Sequence, residues 1–244
     1  MTSHAPLIPS KYKILSGSAL KLIALISMII DHIGYFLLVG NNVVLLKIGN
    51  HSLTLYEAMR FVGRWAFPIY AFLLVEGFIH THDRRKYGLK LLVFALISEI
   101  PWNLAHTGKL TYSSQNVFFT LFMGFLGLCL VEKIRSEDKD RLRSVVLLFV
   151  LFVISVIFKA DYGCSGFGFI LLLYLLRDVP VFRTVIGCCF LSSRWKVIPS
   201  FVLISLYNGK RGAIKGTVFS ILFYAIYPIH ILIFYFIRLK IIGY

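Results

Sequence analysis

The chain has 244 residues, of which 58% are hydrophobic and only 15% charged, with a net charge of +15 and a mean hydropathy of +0.81. A soluble globular domain has about a quarter of its residues charged, so this composition excludes one. Apolar runs of about 20 residues recur instead, each long enough to cross a hydrocarbon core of about 30 Å. The positive charge lies in short segments between those runs, where it sets membrane orientation; it does not signal nucleic-acid binding. No long alternating strands indicate a barrel.

Residues 1–19 form a polar lead with Lys11 and Lys13. No small-residue cleavage site follows the first apolar run, so that run is expected to stay as a span. Span 1, 20–39, carries Asp31 and His32 about two thirds of the way along. The connection 40–56 is polar and holds Asn41, Asn42 and His51. Span 2, 58–80, follows Glu57 and contains Arg60, Arg64, Pro68, Glu76 and Gly77. A short basic loop, His80 to Lys86, leads into span 3, 87–105, which ends Ser98-Glu99-Ile100-Pro101-Trp102-Asn103. Span 4, 116–134, opens with Asn116 and Thr120 and carries Gly124 and Gly127. The loop 132–143 mixes both signs of charge. Span 5 covers 144–160, and a glycine-rich break, Asp161 to Gly166, precedes span 6, which ends near 176.

Pro180, Arg194, Lys196 and Pro199 divide 178–208 into two short runs. These are consistent with one interrupted span, a re-entrant pair or two crossings. The last span, 217–239, holds Tyr224, Tyr227, Pro228, His230 and Tyr235. The fold expected is all-α, a polytopic transmembrane helical bundle of about 8 to 10 spans. It comprises a cytoplasmic lead, 1–19, and a single integral-membrane domain, 20–244. Cys129, Cys164, Cys188 and Cys189 lie in or beside apolar runs without a CxxC pair. They read as packing residues, with no disulfide frame or zinc site.

Most Lys and Arg before the ambiguous region fall on one side if the N-terminus is cytoplasmic, which favours that orientation. The loop Lys210, Arg211, Lys215 lies outside if 178–208 crosses once and inside if it crosses twice. With this orientation one membrane face collects Asp31, His32, Arg60, Arg64, Glu99, Asn103, Asn116, Thr120, Asp161 and Tyr162. Glu76 and His80, at i and i+4, form a second, inner group leading into Arg84-Arg85-Lys86. Tyr227 and His230 lie mid-span in the last helix, and His230 is the only other imidazole expected at the depth of His32.

Each of these has a plain structural reading. A buried Arg–Glu pair fixes helix register. Asp31 caps a broken helix or pairs with Arg64, and His230 is a satisfied core histidine. Arg84-Arg85-Lys86 is a topology signal, and Gly124 and Gly127 permit close helix packing. Asp31-His32 favours function more strongly. Both are costly inside a span, and histidine serves as a base near neutral pH.

The motifs together resemble the TraX family, membrane proteins named for the conjugative F-pilin N-acetylase. The resemblance rests on Leu20-Lys21-Leu22-Ile23-Ala24 with Asp31-His32-Ile33-Gly34, and on Gly63-Arg64-Trp65-Ala66-Phe67-Pro68 through Glu76-Gly77-Phe78-Ile79-His80-Thr81. Ser98 to Asn103, Asn116-Val117-Phe118-Phe119-Thr120, Asp161-Tyr162-Gly163 and Tyr227-Pro228-Ile229-His230 complete it in family order. Span 1 also resembles, more loosely, the first helix of integral-membrane acyltransferases, which carries a catalytic histidine near its end.

The resemblance implies transfer of an acetyl group from acetyl-CoA to an amine or hydroxyl acceptor at the membrane, a pilin N-terminus or an envelope glycan. His32 is then the expected base, oriented by Asp31 or Glu99 as an acid orients a catalytic histidine elsewhere. Arg64, Asn103 or Asn116 is expected to stabilise the oxyanion. Asp161, Tyr162, Glu76, Tyr227 and His230 are expected to line the substrate site. Arg84, Arg85 and Lys86, with His80, are expected to hold the acetyl-CoA phosphates. No histidine spacing suggests a metal. Intramembrane Glu76, Glu99 and Asp161 also suit a transporter, and a non-catalytic pilus or envelope assembly factor is the third alternative.

Overall fold

The computed structural model describes residues 8–40, 43–48, 51–136, 140–191, 194–214 and 216–241. Residues 1–7 of the lead, Asn41, Asn42, 137–139 of the charged loop and Lys215 lie outside the described residues. The helices are α1 (Gly17–Leu37), α2 (Leu55–Gly63), α3 (Ala66–His80), α4 (Arg84–Thr107), α5 (Val117–Arg135), α6 (Arg141–Ile157), α7 (Gly163–Leu175), α8 (Pro180–Phe190), α9 (Ile198–Ser205) and α10 (Thr217–Ile241). Among the described residues, five segments are long and apolar enough to cross a membrane: Gly17–Leu37, Leu55–His80, Arg84–Thr107, Val117–Arg135 and Val218–Ile241. A larger number of crossings rests on the shorter helices.

Three elements depart from the sequence reading. The polar connection after α1 contains a hairpin, β1 (Val44–Ile48) paired antiparallel with β2 (His51–Thr54). Its second strand runs into α2, where Thr54 and Glu57 form a reciprocal capping box. Glu57 is therefore used at the helix start, satisfying donors that the first turn leaves open. The second expected span is two helices broken at Arg64 and Trp65. Arg84, Arg85 and Lys86 are the first turn of α4 rather than a loop, with the Asp83 carboxylate accepting from Lys86 N at 2.9 Å.

The chain divides into two compact units. One comprises Ala71–Ile100 and Thr111–Ser192; the other comprises Ile8–Tyr70, Pro101–Leu110 and Ser193–Tyr244. In the first, α5 packs on α6 and α7. Gly124 and Gly127 lie directly against Ile170, Phe167 and Leu171, and a Cβ at either would collide with them. Close approach through small residues is how apolar helices gain packing where no hydrophobic effect drives them together.

In the second unit α1 packs on α2 and α10. The stripe Ser27, Asp31 and Gly34, at i, i+4 and i+7, faces α2. The Ser27 hydroxyl donates to Val62 O at 2.7 Å, and Gly34 admits Met59. The N-terminus of α1 is closed by a distant segment. Gly17 N donates to Lys210 O at 2.8 Å and Ser18 N to Arg211 O at 2.9 Å. Ser16 caps the next donor, Ala19 N, through its hydroxyl, and its carbonyl accepts from Leu20 N. The N–H groups of Gly17, Ser18 and Ala19, three of the four that a helix start leaves open, are thus satisfied, and the Leu20 bond is the first of the helix itself. The Ser18 hydroxyl also donates to Arg211 O and accepts from Ile214 N. Leu15 pairs in parallel with Tyr207. Gly212, at φ +89°, lies against Ser16 and Ser18 where no side chain fits.

This knot decides a question the charge pattern left open. The 208–214 segment lies at the start of α1, and α10 begins three residues beyond it. Lys210 and Arg211 therefore share the side of the lead. Cysteines placed at Lys11 and Ala213 should be labelled by an impermeant thiol reagent from the same membrane face, and one at Lys240 from the opposite face. Labelling of Lys11→Cys and Ala213→Cys from opposite faces would contradict this topology.

Candidate functional site

Asp31 and His32 are neighbours in sequence, so on a helix their side chains diverge by about 100°. Each finds its own partner. Asp31 Oδ2 accepts from Arg60 Nη1 at 2.6 Å, and both side chains are 19% exposed. Arg64 also acts on this carboxylate electrostatically. The Arg60 guanidinium lies over the Tyr35 ring, 4.9 Å from its centroid. Gly63 makes the approach possible, because a Cβ there would coincide with the Asp31 carboxylate. Asp31 is thus held by α2 and does not hold the His32 imidazole, which corrects the expected orienting role.

The partner of His32 is His230. His32 Nδ1 and His230 Nε2 are 2.6 Å apart. The ring planes are 11° apart with centroids separated by 4.9 Å. Face-to-face stacking cannot bring ring atoms so close, so the imidazoles meet edge to edge. The far nitrogen of His230, Nδ1, lies 2.7 Å from Ile226 O. A carbonyl only accepts, so Nδ1 carries hydrogen. With both rings neutral, His230 Nε2 presents its lone pair and accepts from His32 Nδ1–H. His32 Nε2 is left with a lone pair, the form a general base needs. His230 is therefore coupled to His32.

The two residues meet because their helices share an origin. From Gly17 to His32 α1 rises about 22 Å, and from Thr217 to His230 α10 rises about 20 Å. Around the pair, Tyr227 is 3% exposed, with its ring centroid 6.0 Å from His32 and 5.7 Å from His230. Phe36, one turn beyond His32, packs on it and on His106, whose ring centroid is 5.1 Å away. The sequence reading missed His106. The i, i+4 pair Trp102 and His106 was its signal: His106 Nδ1 donates to Trp102 O at 2.8 Å. Asn103 donates to Leu110 O at 2.8 Å, ordering the turn after α4.

The remaining candidates are organised within the first unit. Asn116 caps α5: its Oδ1 accepts from Phe118 N at 3.1 Å. Its amide donates to Ala95 O at 2.8 Å and to Glu99 Oε2 at 2.6 Å. Both amide hydrogens are thereby used, and Glu99 ties α4 to the start of α5. The Thr120 hydroxyl donates to the Asp161 carbonyl, and Tyr162 turns the chain into α7 with a left-handed φ of 65°. These contacts are of the register-fixing kind. His80 Nδ1 donates to Glu76 O at 2.8 Å.

Of the basic trio, Arg84 pairs with Glu132, donating from Nη2 at 3.0 Å, and stands over Phe78. Lys86 pairs with Asp83 at 3.1 Å. The Lys86 and Arg85 backbone N–H groups accepted by Asp83 hold its carboxyl below the usual carboxylate range. Arg85 is exposed.

Apolar helices enclosing a bonded histidine pair and a separate acid–arginine pair define a helical membrane protein with a polar centre. The family model described as TraX protein matches residues 16–238, and the chain belongs to the TraX family. A protein of Dichelobacter nodosus described as a probable fimbrial assembly protein FimC, serogroup H1, is 30% identical over 245 residues, covering 88% of this chain and 93% of that protein. No solved structure matches the chain.

Removing one member of a mostly buried ion pair strands the other charge, at a cost of about 3 kcal/mol. Asp31→Asn should therefore lower thermal stability in detergent markedly. The double replacement Asp31→Asn with Arg60→Met should recover most of the loss. An Asp31→Asn protein as stable as wild type would show that the pair carries no structural load.

Proposed function

We propose that this chain is an integral-membrane acetyltransferase of the bacterial plasma membrane with a cytoplasmic N-terminus. It moves an acetyl group from acetyl-CoA to an amine or hydroxyl acceptor. The observation that carries the proposal is the His32–His230 bond, which leaves His32 Nε2 as a lone-pair base inside the second unit. In the reaction, His32 Nε2 takes the proton from the acceptor as its nitrogen or oxygen attacks the thioester carbonyl. The carbon–sulfur bond then breaks, and the CoA thiolate leaves with the proton returned by His32. Arg64, in the same unit as His32, and Asn103, which spends one of its two amide hydrogens on Leu110 O, are the candidates for the oxyanion, since both amide hydrogens of Asn116 are used.

Counting α6 and α7 with the five long segments, with the short α8 and α9 as a re-entrant pair, gives seven spans. An odd number puts the end of α10 opposite the start of α1, as the knot requires. His32 then lies toward the outer face, with the donor entering from the cytoplasm and the acceptor presented from outside. The relative described as a probable fimbrial assembly protein favours a pilin subunit over an envelope glycan as acceptor. It also supports the second reading, an assembly factor without chemistry, which needs no acetyl-CoA.

Loss of a positioned base costs about 10²- to 10⁴-fold in rate. His32→Gln should reach that range in single-turnover acetyl transfer by purified protein while acetyl-CoA binding survives. His230→Gln keeps an oxygen that can accept from His32 Nδ1–H and should lose less than His230→Leu. A folded His32→Gln protein transferring acetyl at the wild-type rate would remove the pair from the mechanism.

A further inference from the structure

Lys210 and Arg211 are exposed basic groups of the second unit, which also displays Lys11, Lys47, Lys109, Lys196 and Lys240; they differ in sitting on the segment bonded to the start of α1. Both are exposed, and among the described residues neither side chain has an ion-pair partner. Asp31 and Glu57 are the acidic side chains of this unit. The first is held by Arg60 and the second by the Thr54 cap. Lys11 and Lys13 precede the strand-like contact of Leu15 with Tyr207 and add charge at the same end. The segment carrying Lys210 and Arg211 is rigidly placed. Its carbonyls are bonded to Gly17 N and Ser18 N, Asn208 Oδ1 accepts from Lys210 N at 2.9 Å, and Gly212 packs on Ser16 and Ser18. The backbone is thus committed inward while the two cationic side chains project outward. In the other basic cluster, by contrast, Arg84 and Lys86 already face Glu132 and Asp83.

We infer that Lys210 and Arg211 bind the phosphate groups of the acyl donor, a task first expected of Arg84, Arg85 and Lys86. The inference rests on the acetyl-transfer reading above. The spacing supports it. His32 lies about 22 Å along α1 from Gly17, the residue whose N–H meets Lys210 O. A pantetheine arm has the reach of between four and five extended residues, about 16 Å. The diphosphate and the long cationic side chains supply the remainder. A donor anchored at this segment and laid along α1 brings its thioester to His32.

Phosphate esters on lipid headgroups offer the same chemistry, and the test separates the two sources. Lys210→Gln with Arg211→Gln removes both charges and keeps the backbone bonds that hold the segment. Binding of acetyl-CoA and of S-acetylpantetheine, which lacks phosphates, is measured by calorimetry on full-length protein in zwitterionic nanodiscs. The double variant should bind acetyl-CoA at least about tenfold more weakly, as expected for lost charge-assisted contacts. Its binding of S-acetylpantetheine should be unchanged.

Equal acetyl-CoA affinity in variant and wild type would overturn the site. So would a difference that appears only when anionic lipid is present, which would assign the segment to headgroups. Loss of acetyl-CoA binding in Arg84→Gln with Arg85→Gln, but not in the Lys210 and Arg211 variant, would return the donor phosphates to α4. Wild-type protein that binds no acetyl-CoA would overturn the acetyl-transfer reading itself, and the site with it.

Discussion

The second unit depends on a main-chain knot between Leu15–Ser18 and Leu206–Ile214. Helix starts are the weak points of a membrane helix, because their N–H groups have no partner within the helix and hydrocarbon offers none. Here the carbonyls of Lys210 and Arg211 satisfy the first two donors of α1, and the Ser16 hydroxyl satisfies the third. The same bonds set the origin of α10 beside that of α1. Two helices rising in parallel from one level keep equal depths in register, and that register places one imidazole edge against another. A shift of α10 by one turn, about 5.4 Å, would separate the two nitrogens entirely.

Polar groups elsewhere follow the same economy of partners. Asp31 is answered by Arg60 and Asn116 by Glu99, and the Thr120 hydroxyl is answered by a carbonyl. Such pairs tolerate burial because each charge or dipole finds its complement locally. The histidine pair differs in one respect. Its chain of hydrogen bonds ends on a backbone carbonyl at one side and on a nitrogen lone pair at the other, so it has a direction.

The apolar runs made much of the fold legible: α1, α4, α5, α7 and α10 fall close to the spans expected, whereas the capping of α5 by Asn116 was not read from its position. The hairpin was not legible. Val44-Leu45-Leu46-Lys47-Ile48 lacks the strict alternation by which a strand is recognised, although Gly49-Asn50 between the strands is a hairpin signal. Within the site, the participants were legible and their pairing was not. Asp31, His32, Arg60 and His230 were all conspicuous as polar residues in apolar sequence. Which joins which depends on helix rotation and register. A span of 198 residues separates the two histidines, and local periodicity carries no information over that distance. His106 was overlooked because it lies at the end of an apolar run, where a polar residue costs little.

The knot also has a consequence for biosynthesis. Leu15 to Ser18 leave the ribosome well before the carbonyls that complete them, which arrive only after some two hundred further residues have been made. The nascent α1 enters the bilayer with two amide groups still needing water or headgroups, which keeps its start at the membrane surface until Leu206–Ile214 emerges. In this sense α1 is finished only as α10 begins. A chain interrupted before residue 206 would be inserted and largely helical, yet it would display an uncapped α1 and a solitary imidazole, features by which a membrane protease could distinguish it from the completed protein.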